Sequence, residues 1–169
     1  MSKKILLMPV IGAVIRRKRE NGVWEVLLVR RPSYDKWPLV WEFPRGKCEF
    51  DKTLKQCLKR EVKEEVGLDV VIERFIDTYE YVADEGKRRS KQYNFLCSLL
   101  DEKQQVVLDQ KEHDQYKWVA SMGEVELLAV PEMKKTLSKV LNVSSQTSSY
   151  PKTSAQKIAE FLDKMWRKT

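Results

Sequence analysis

Residues 46–68 read GKCEFDKTLKQCLKREVKEEVGL, which is the most informative segment of the chain. Thr53 with Gln56 three residues later matches a capping box, which predicts a helix that begins near Leu54. Gly67 suits the left-handed backbone conformation that closes many helices. Between these caps there is no Gly or Pro, and the good helix formers Lys, Glu, Leu and Gln dominate. The stretch therefore predicts a loop that leads into a helix.

The predicted helix has an apolar stripe and an acidic edge. With about 100° of rotation per residue, one face carries the apolar side chains Leu54, Cys57, Leu58, Val62 and Val66. Glu61, Glu64 and Glu65 share an arc that overlaps one edge of this stripe. Like charges this close repel each other, and burial penalises each of them further. A hard divalent cation with oxygen ligands, such as Mg²⁺, would offset both costs. The alternative is a solvated acidic face balanced by neighbouring cations, namely Lys55, Lys59, Arg60 and Lys63.

The spacing of this stretch resembles the Nudix box. Gly46 is followed, at the interval of the box, by the run from Arg60 to Leu68, which reads Arg-Glu-apolar-x-Glu-Glu-x-Gly-apolar. The one departure is Lys52, which stands where the box has its first Glu. The preceding segment 41–44, WEFP, is also similar to the usual Nudix lead-in. A motif of this length is a strong signal, and the chain is identified as a member of the Nudix hydrolase family.

The resemblance implies an α/β fold, an α/β/α sandwich with a central mixed β-sheet and the box loop and helix at 46–66. Alternating strand and helix signals along the chain support the α/β class. The resemblance also implies hydrolysis of a diphosphate bond in a nucleoside diphosphate linked to another group, with Mg²⁺ or Mn²⁺ as cofactor. The metal ligands that it implies are Gly46, Glu61, Glu64 and Glu65. The general base would be Glu61 or Glu112, and the alternative for Glu112 is an acid of a surface loop.

Arg60 is implied as a partner that orients the box acids. In the family it commonly pairs with the Glu whose place Lys52 takes in this chain. Lys52 cannot form that pair, so we expect Arg60 to pair with Glu49 or Asp51 in the same loop. The departure affects a supporting position and leaves all three proposed carboxylate ligands in place.

Four residues are predicted to contact the substrate. Arg45 and Lys47 flank the box glycine and are plausible phosphate ligands, because a glycine lets backbone approach an anion closely. Tyr34 and Trp37 lie in the loop 32–38. Their rings either stack on a nucleobase or anchor the loop against the core.

Composition indicates one globular domain with anionic partners. The 169 residues carry a formal net charge of +7, which favours nucleotides, and RNA as a possible partner, without separating the two. His113 is the only histidine, which excludes a multi-histidine metal site. No apolar run is long enough to span a bilayer, so no membrane association is expected.

Cysteine usage is typical of a reducing cytoplasm. Cys48, Cys57 and Cys97 are odd in number and lack metal-ligand spacing, so the sequence predicts no disulfide framework and a cytoplasmic location. The oligomeric state is left open between monomer and homodimer.

Three segments describe the domain organisation. Residues 1–143 form the predicted Nudix domain, and the serine-rich segment 144–152 is a predicted linker. Residues 153–169 have one apolar stripe at helical spacing and predict an amphipathic helix. This helix is expected to dock on the domain, with contact to a partner or a second subunit as the alternative.

Shorter signals predict the remaining elements. Asn21-Gly22 between two apolar runs predicts a β-hairpin. Residues 105–108 read as a brief strand. Residues 122–129 and 132–141 read as two helices broken at a proline.

The sequence therefore favours an enzyme that cleaves a pyrophosphate bond, with nucleoside triphosphates as favoured substrates. Arg45 and the positive charge keep dinucleoside polyphosphates and the 5′ end of RNA as an alternative. A second alternative is a non-catalytic Nudix-like domain that binds nucleotide or RNA. Lys52 is the only sequence feature that supports this binder, and the intact acid trio argues against it.

Overall fold

A computed structural model describes residues 7–49, 51–83, 86, 88–125 and 127–141. The elements in chain order are β1 (Leu7–Lys18), β2 (Trp24–Arg30), β3 (Trp41–Glu42), β4 (Arg45–Lys47), α1 (Leu54–Val66), β5 (Val70–Ala83), β6 (Arg88–Leu99), β7 (Gln115–Val119) and α2 (Glu132–Leu141). The predicted linker 144–152 and the predicted helix 153–169 lie outside the described residues. Within the described ranges, no helix is long and apolar enough to cross a bilayer.

The strands form one mixed sheet. Its order is β3-β2-β1-β6-β5, with β4 paired to β1 and β7 paired to β2. β1 and β6 are parallel, whereas β1 pairs antiparallel with β2 and with β4. The Asn21-Gly22 hairpin is confirmed, since β1 and β2 are antiparallel neighbours and Gly22 has a φ of 83°.

Helices cover both faces of the sheet. Side chains on a strand alternate between faces, and along β1 the residues Ile11, Ala13 and Ile15 pack in one core with the apolar stripe of α1. Val14 points to the other face and packs with Met133 of α2. The predicted α/β/α sandwich with a central mixed sheet is therefore confirmed.

Helix α1 begins and ends where its caps predict. The Thr53 hydroxyl accepts from the Gln56 backbone N–H (3.2 Å), and the Gln56 side chain accepts from the Thr53 backbone N–H (3.0 Å). Gly67 closes the helix in the left-handed region with a φ of 71°. All five residues of the predicted apolar stripe are buried. Local sequence alone therefore fixes this element.

The predicted brief strand at 105–108 is wrong. The Val107 N–H donates to the Val66 carbonyl (2.9 Å), and the Asp109 N–H donates to the Glu65 carbonyl (2.9 Å). The last carbonyls of a helix lack partners within the helix. The segment supplies donors to those carbonyls and joins no ladder of the described sheet.

The predicted helix at 122–129 is also wrong. Only a short 3₁₀ turn forms, at Met122–Glu124. Trp41 holds the following residues beside β3, because its N–H donates to the Leu127 carbonyl (2.7 Å) and its carbonyl accepts from the Ala129 N–H (2.9 Å). This tertiary pairing outweighs local helix propensity. The second predicted helix, 132–141, is confirmed as α2.

The expectation of no disulfide is wrong as well. Cys48 and Cys57 are bonded, with Cα atoms 5.4 Å apart. Cys48 follows β4, and Cys57 lies in α1 on the face packed against the sheet. The packing of helix on strand brings the two together, which the sequence spacing alone does not indicate. Cys97 is buried and free, and burial raises the pKa of its thiol.

We expect denaturing alkylation without reductant to label one cysteine, Cys97, and alkylation after reduction to label three. Cys48→Ser should raise the unreduced count to two and lower the unfolding free energy by about 2–3 kcal/mol, the amount expected for closing a loop this short. Intact mass spectrometry and denaturant titration measure both effects. Three labelled cysteines in the unreduced wild-type protein would contradict the disulfide.

Candidate active site

The site begins where β4 crosses the side of α1. β4 pairs with β1 in a register that places Gly46 opposite Ile11. A Cβ built on Gly46 would overlap the carboxylate of Glu61. Glycine is therefore the residue that lets the strand backbone and this carboxylate occupy adjoining space.

The three box acids differ in burial along the edge of α1. Glu65 is 8% exposed, whereas the side chains of Glu61 and Glu64 are 15% and 57% exposed. Burial raises the pKa of Glu65 well above its usual range, and the charges of Glu42 and Glu61 raise it further. Of the three acids, only Glu64 therefore fits the alternative interpretation, in which the acidic face is simply solvated.

Glu112 joins these acids from a distant part of the sequence. Its N–H donates to the Asp109 carbonyl (3.0 Å), and Asp109 is itself hydrogen-bonded to the Glu65 backbone. Burial raises the pKa of Glu61, and the charges of Glu64 and Glu112 add to this rise against the opposing charge of Arg60. The fold thus brings the two candidate bases, Glu61 and Glu112, within electrostatic range of each other.

The predicted pairing of Arg60 with the loop acids is wrong. The guanidinium pairs with Glu61 (2.8 Å) and with Glu64 (3.2 Å), not with Glu49 or Asp51. Glu64 lies one helical turn away, where an i,i+4 pair forms readily. The Arg60 side chain also donates to the Lys47 carbonyl (3.4 Å).

Lys52, the residue that departs from the box, points away from this arrangement. Its ammonium pairs with Asp51 at 3.3 Å, and both side chains are well exposed. One of the two expected partners of Arg60 is therefore already paired.

The acids have the chemistry for a hard cation, although they do not enclose a ready-made site. Among the described residues, no three Asp, Glu, Cys or His side chains are drawn together tightly enough to hold an ion. Arg60 holds the two more exposed box acids as their counter-ion. Glu65 has a hydrogen bond from the Arg45 backbone N–H (3.0 Å). Carboxylates whose pKa values are raised by burial and by neighbouring carboxylates fit Mg²⁺ or Mn²⁺.

Arg45 connects the acids with a neighbouring cavity. Its N–H donates to Glu65, and its guanidinium pairs with Glu42 (2.8 Å) and donates to the Tyr81 hydroxyl (3.0 Å). It also donates to the Gln92 side chain (3.2 Å). The sequence predicted a phosphate ligand here, and the structure gives this side chain several protein partners.

A cavity of about 180 Å³, the aromatic cavity, lies beside Arg45. It is lined by Arg31, Trp37, Arg45, Tyr81, Val82, Ala129 and Val130. Tyr34 is exposed, is not among the lining residues, and donates its hydroxyl to the Gln110 carbonyl (2.9 Å). Lys47 is exposed. Of the four predicted substrate contacts, the fold brings Trp37 and Arg45 together at this cavity and leaves Tyr34 and Lys47 outside it.

Glu42 is the residue that the sequence reasoning missed. It is 1% exposed and pairs with two arginines and the only histidine, namely Arg31, Arg45 and His113. Burial by itself would raise its pKa, but these partners outweigh burial and lower the pKa of Glu42 to about 2. The sequence does contain a signal for this residue, because Glu42 is a single acid between the apolar residues Trp41 and Phe43.

The fold and this cluster define the class of the protein: an α/β/α sandwich with partly buried acids on a helix that packs against the glycine of β4. The chain matches the family model described as the NUDIX domain over residues 6–140. This match covers most of the chain, and the protein belongs to the Nudix family.

Similar proteins carry several different names. The chain is 38% identical over 78 residues to the 8-oxo-dGTP diphosphatase of Proteus vulgaris, across 46% of this chain and 64% of that protein. It is 31% identical over 74 residues to the CTP pyrophosphohydrolase of Escherichia coli (strain K12), across 44% and 51% respectively. Both matches therefore span less than two thirds of the relative's length.

A solved structure of a C. elegans Ap4A hydrolase in a binary complex is also similar. It superposes with a TM-score of 0.69 at 26% identity and covers 82% of this chain and 98% of that chain.

We expect Glu65→Gln to stabilise the protein in the presence of a chelator. The neutral amide keeps the acceptor for the Arg45 N–H and removes a buried charge that other carboxylates repel. The melting temperature at pH 8 should rise by about 2–4 °C, equivalent to roughly 1 kcal/mol in a domain of this size. The equally conservative Glu64→Gln changes an exposed acid and serves as the control.

The sign of the pH dependence follows from the direction of the shift. A raised pKa means that folding favours protonated Glu65, so the wild-type protein loses stability as pH rises above the ordinary value of 4.5. The advantage of Glu65→Gln should therefore grow from pH 5 to pH 8. A variant that is less stable than wild type at pH 8 would contradict the raised pKa of Glu65.

Proposed function

We propose that the protein is a Nudix hydrolase that cleaves a pyrophosphate bond in nucleoside diphosphate-X substrates, with nucleoside triphosphates favoured. The observation that carries the proposal is the Glu61 carboxylate packed against Gly46, with Glu65 and Glu112 close enough to act on one another electrostatically. Glu61 and Glu65 are largely buried and have raised pKa values, and acids perturbed in this way are characteristic of functional sites. A packing helix would have turned such acids toward solvent.

The residues that would hold Mg²⁺ or Mn²⁺ are Gly46, Glu61, Glu64 and Glu65. A bound divalent cation would neutralise phosphate charge and lower the pKa of a bound water. Arg60 would help to orient the acids, since it already contacts two of them. Glu61 or Glu112 would accept the proton of the attacking water, and the raised pKa of Glu61 suits this role.

The aromatic cavity supports a nucleotide as substrate. Its volume of about 180 Å³ suits one nucleobase, and the exposed Trp37 ring offers a stacking face. Arg45 links the cavity to Glu65, so a base in the cavity would leave its phosphates near the acids. Two relatives are named for nucleoside triphosphates, which agrees with the favoured class.

Dinucleoside polyphosphates and the 5′ end of RNA are the alternative substrates. The net charge of +7 and the exposed ring of Tyr34 outside the cavity favour a longer anionic substrate. The structural neighbour named Ap4A hydrolase agrees with this alternative. The non-catalytic binder is the second alternative, and its only support, Lys52, pairs away from the acids. A cytoplasmic location and a monomeric or homodimeric state stay predictions.

We expect pyrophosphate or phosphate release from a panel of nucleoside triphosphates, dinucleoside polyphosphates and 5′-triphosphorylated RNA when Mg²⁺ or Mn²⁺ is present. Glu64→Gln should lower kcat/KM on the best substrate by at least 10–100-fold, the range seen when groups around a metal site are altered. Glu102→Gln, an exposed loop acid, should match wild type. Unchanged metal-dependent turnover in Glu64→Gln would show that the proposed site is wrong.

Substitutions of two aromatic residues in one loop test whether the aromatic cavity binds the nucleobase. Trp37→Ala should weaken binding of a nucleoside monophosphate by about 5–150-fold, equivalent to the roughly 1–3 kcal/mol of one stacked base. Tyr34→Ala is the matched control and should bind as wild type does. Calorimetry in a chelator measures binding without turnover. Equal losses in both variants would exclude the aromatic cavity as the base site.

A further inference from the structure

Glu42 is a buried acid outside the box helix that contacts three separate loops. It lies in β3, and its partners come from the loop that follows β2, from β4 at the start of the box loop, and from the loop before β7. We propose that Glu42 is a positioning residue that holds the three loops of the candidate active site in one arrangement. The inference rests on the proposed hydrolytic function and adds a residue to it.

The first loop is the box loop, which begins at β4. The Arg45 Nε lies 2.8 Å from Glu42 Oε2. The N–H of the same residue donates to Glu65, and the next residue is Gly46, against which the Glu61 carboxylate lies. A shift of the Arg45 side chain would therefore move the backbone that meets two of the proposed ligands.

The second loop carries the aromatic cavity. The Arg31 Nε lies 2.9 Å from Glu42 Oε1. Arg31 also donates to the Asp35 carboxylate (3.2 Å), which in turn accepts from the Trp37 N–H (2.8 Å). Glu42 thus fixes Arg31, and Arg31 fixes the loop that presents Trp37.

The third loop carries the candidate base Glu112. The His113 Nε2 lies 3.2 Å from Glu42 Oε1. An ionised carboxylate only accepts hydrogen bonds, so this nitrogen is the donor. His113 and Glu112 both donate their N–H to the Asp109 carbonyl (3.0 Å each). The histidine therefore anchors the turn that presents Glu112, and it does so through Glu42.

Glu25 offers a matched comparison within the same sheet. It is also 1% exposed, and it pairs with Arg17 (3.0 Å) and Arg19 (2.5 Å). It lies at the hairpin end of β1 and β2, about 20 Å along the strand from Gly46. Both acids neutralise two arginines, but only Glu42 contacts loops of the site. A purely structural role would make the two behave alike.

The test compares Glu42→Gln, Glu42→Asp and Glu25→Gln with wild type. The amide keeps the volume of Glu42 but cannot neutralise the two guanidiniums. Glu42→Gln should lower kcat by about tenfold or more, the effect expected of a lost supporting partner, and should raise KM as the cavity loosens. Glu42→Asp keeps the charge and should recover part of the lost kcat. Glu25→Gln should lower the melting temperature and leave kcat and KM unchanged.

Hydrogen exchange gives a second readout that needs no turnover. Amides of residues 31–38 and 109–114 should exchange faster in Glu42→Gln and at wild-type rates in Glu25→Gln, because exchange reports local opening. Equal kcat in Glu42→Gln and wild type, or equal losses in both glutamine variants, would overturn the positioning role. If Glu42→Gln does not fold, Glu42→Asp tests the positioning role instead. A kcat and an exchange rate equal to those of wild type in Glu42→Asp would overturn the role.

Failure of the proposed function would look different. In that case the wild-type protein hydrolyses none of the nucleotides. The positioning role of Glu42 is then tested by hydrogen exchange alone. Faster exchange confined to the two loops in the Glu42 variant would still support the positioning role. Unchanged exchange would overturn it.

Discussion

The approach of the Gly46 backbone to the Glu61 carboxylate is the contact on which the candidate site depends. It requires two elements to be fixed independently: β4 by its pairing with β1, and α1 by caps at both ends. The disulfide joins the two just beyond this point. Any larger side chain at position 46 would fill the space of the carboxylate. The location of this acid is therefore set by backbone packing.

Gathering carboxylates at the edge of the core costs free energy, and the surrounding cations reduce that cost. Burial raises the pKa values of Glu61 and Glu65, and repulsion by neighbouring carboxylates adds to the rise. Glu42 has a lowered pKa because arginines and a histidine surround it. Buried ion pairs seldom add net stability. The cluster is better explained by a requirement for charge at this place, which is the expected pattern where function conflicts with packing.

The parts of the fold that local sequence determines were predicted, whereas among the parts that depend on tertiary contacts only the sandwich architecture was, and that through the family resemblance. The caps and apolar stripe of α1 were read correctly because each signal lies within a few residues of its effect. The predicted helix at 122–129 does not form because its backbone pairs with Trp41, and no local sequence pattern predicts that pairing. For the same reason the Cys48–Cys57 bond and the role of Glu42 escaped prediction. Glu112 was reached only through the family resemblance.

Lys52 departs from the motif, and other ion pairs in the same region compensate for this departure. The lysine pairs with Asp51 in solvent, and Arg60 contacts Glu61 and Glu64 directly. The acids thus keep a cationic partner without the usual carboxylate in the loop. Arg60 is about one third exposed, and a side chain of this length can change partners at little cost when another cation approaches its acids. Three acids at a core edge would hinder the binding of a bare nucleotide anion, whereas a site that takes up a divalent cation with its substrate requires them.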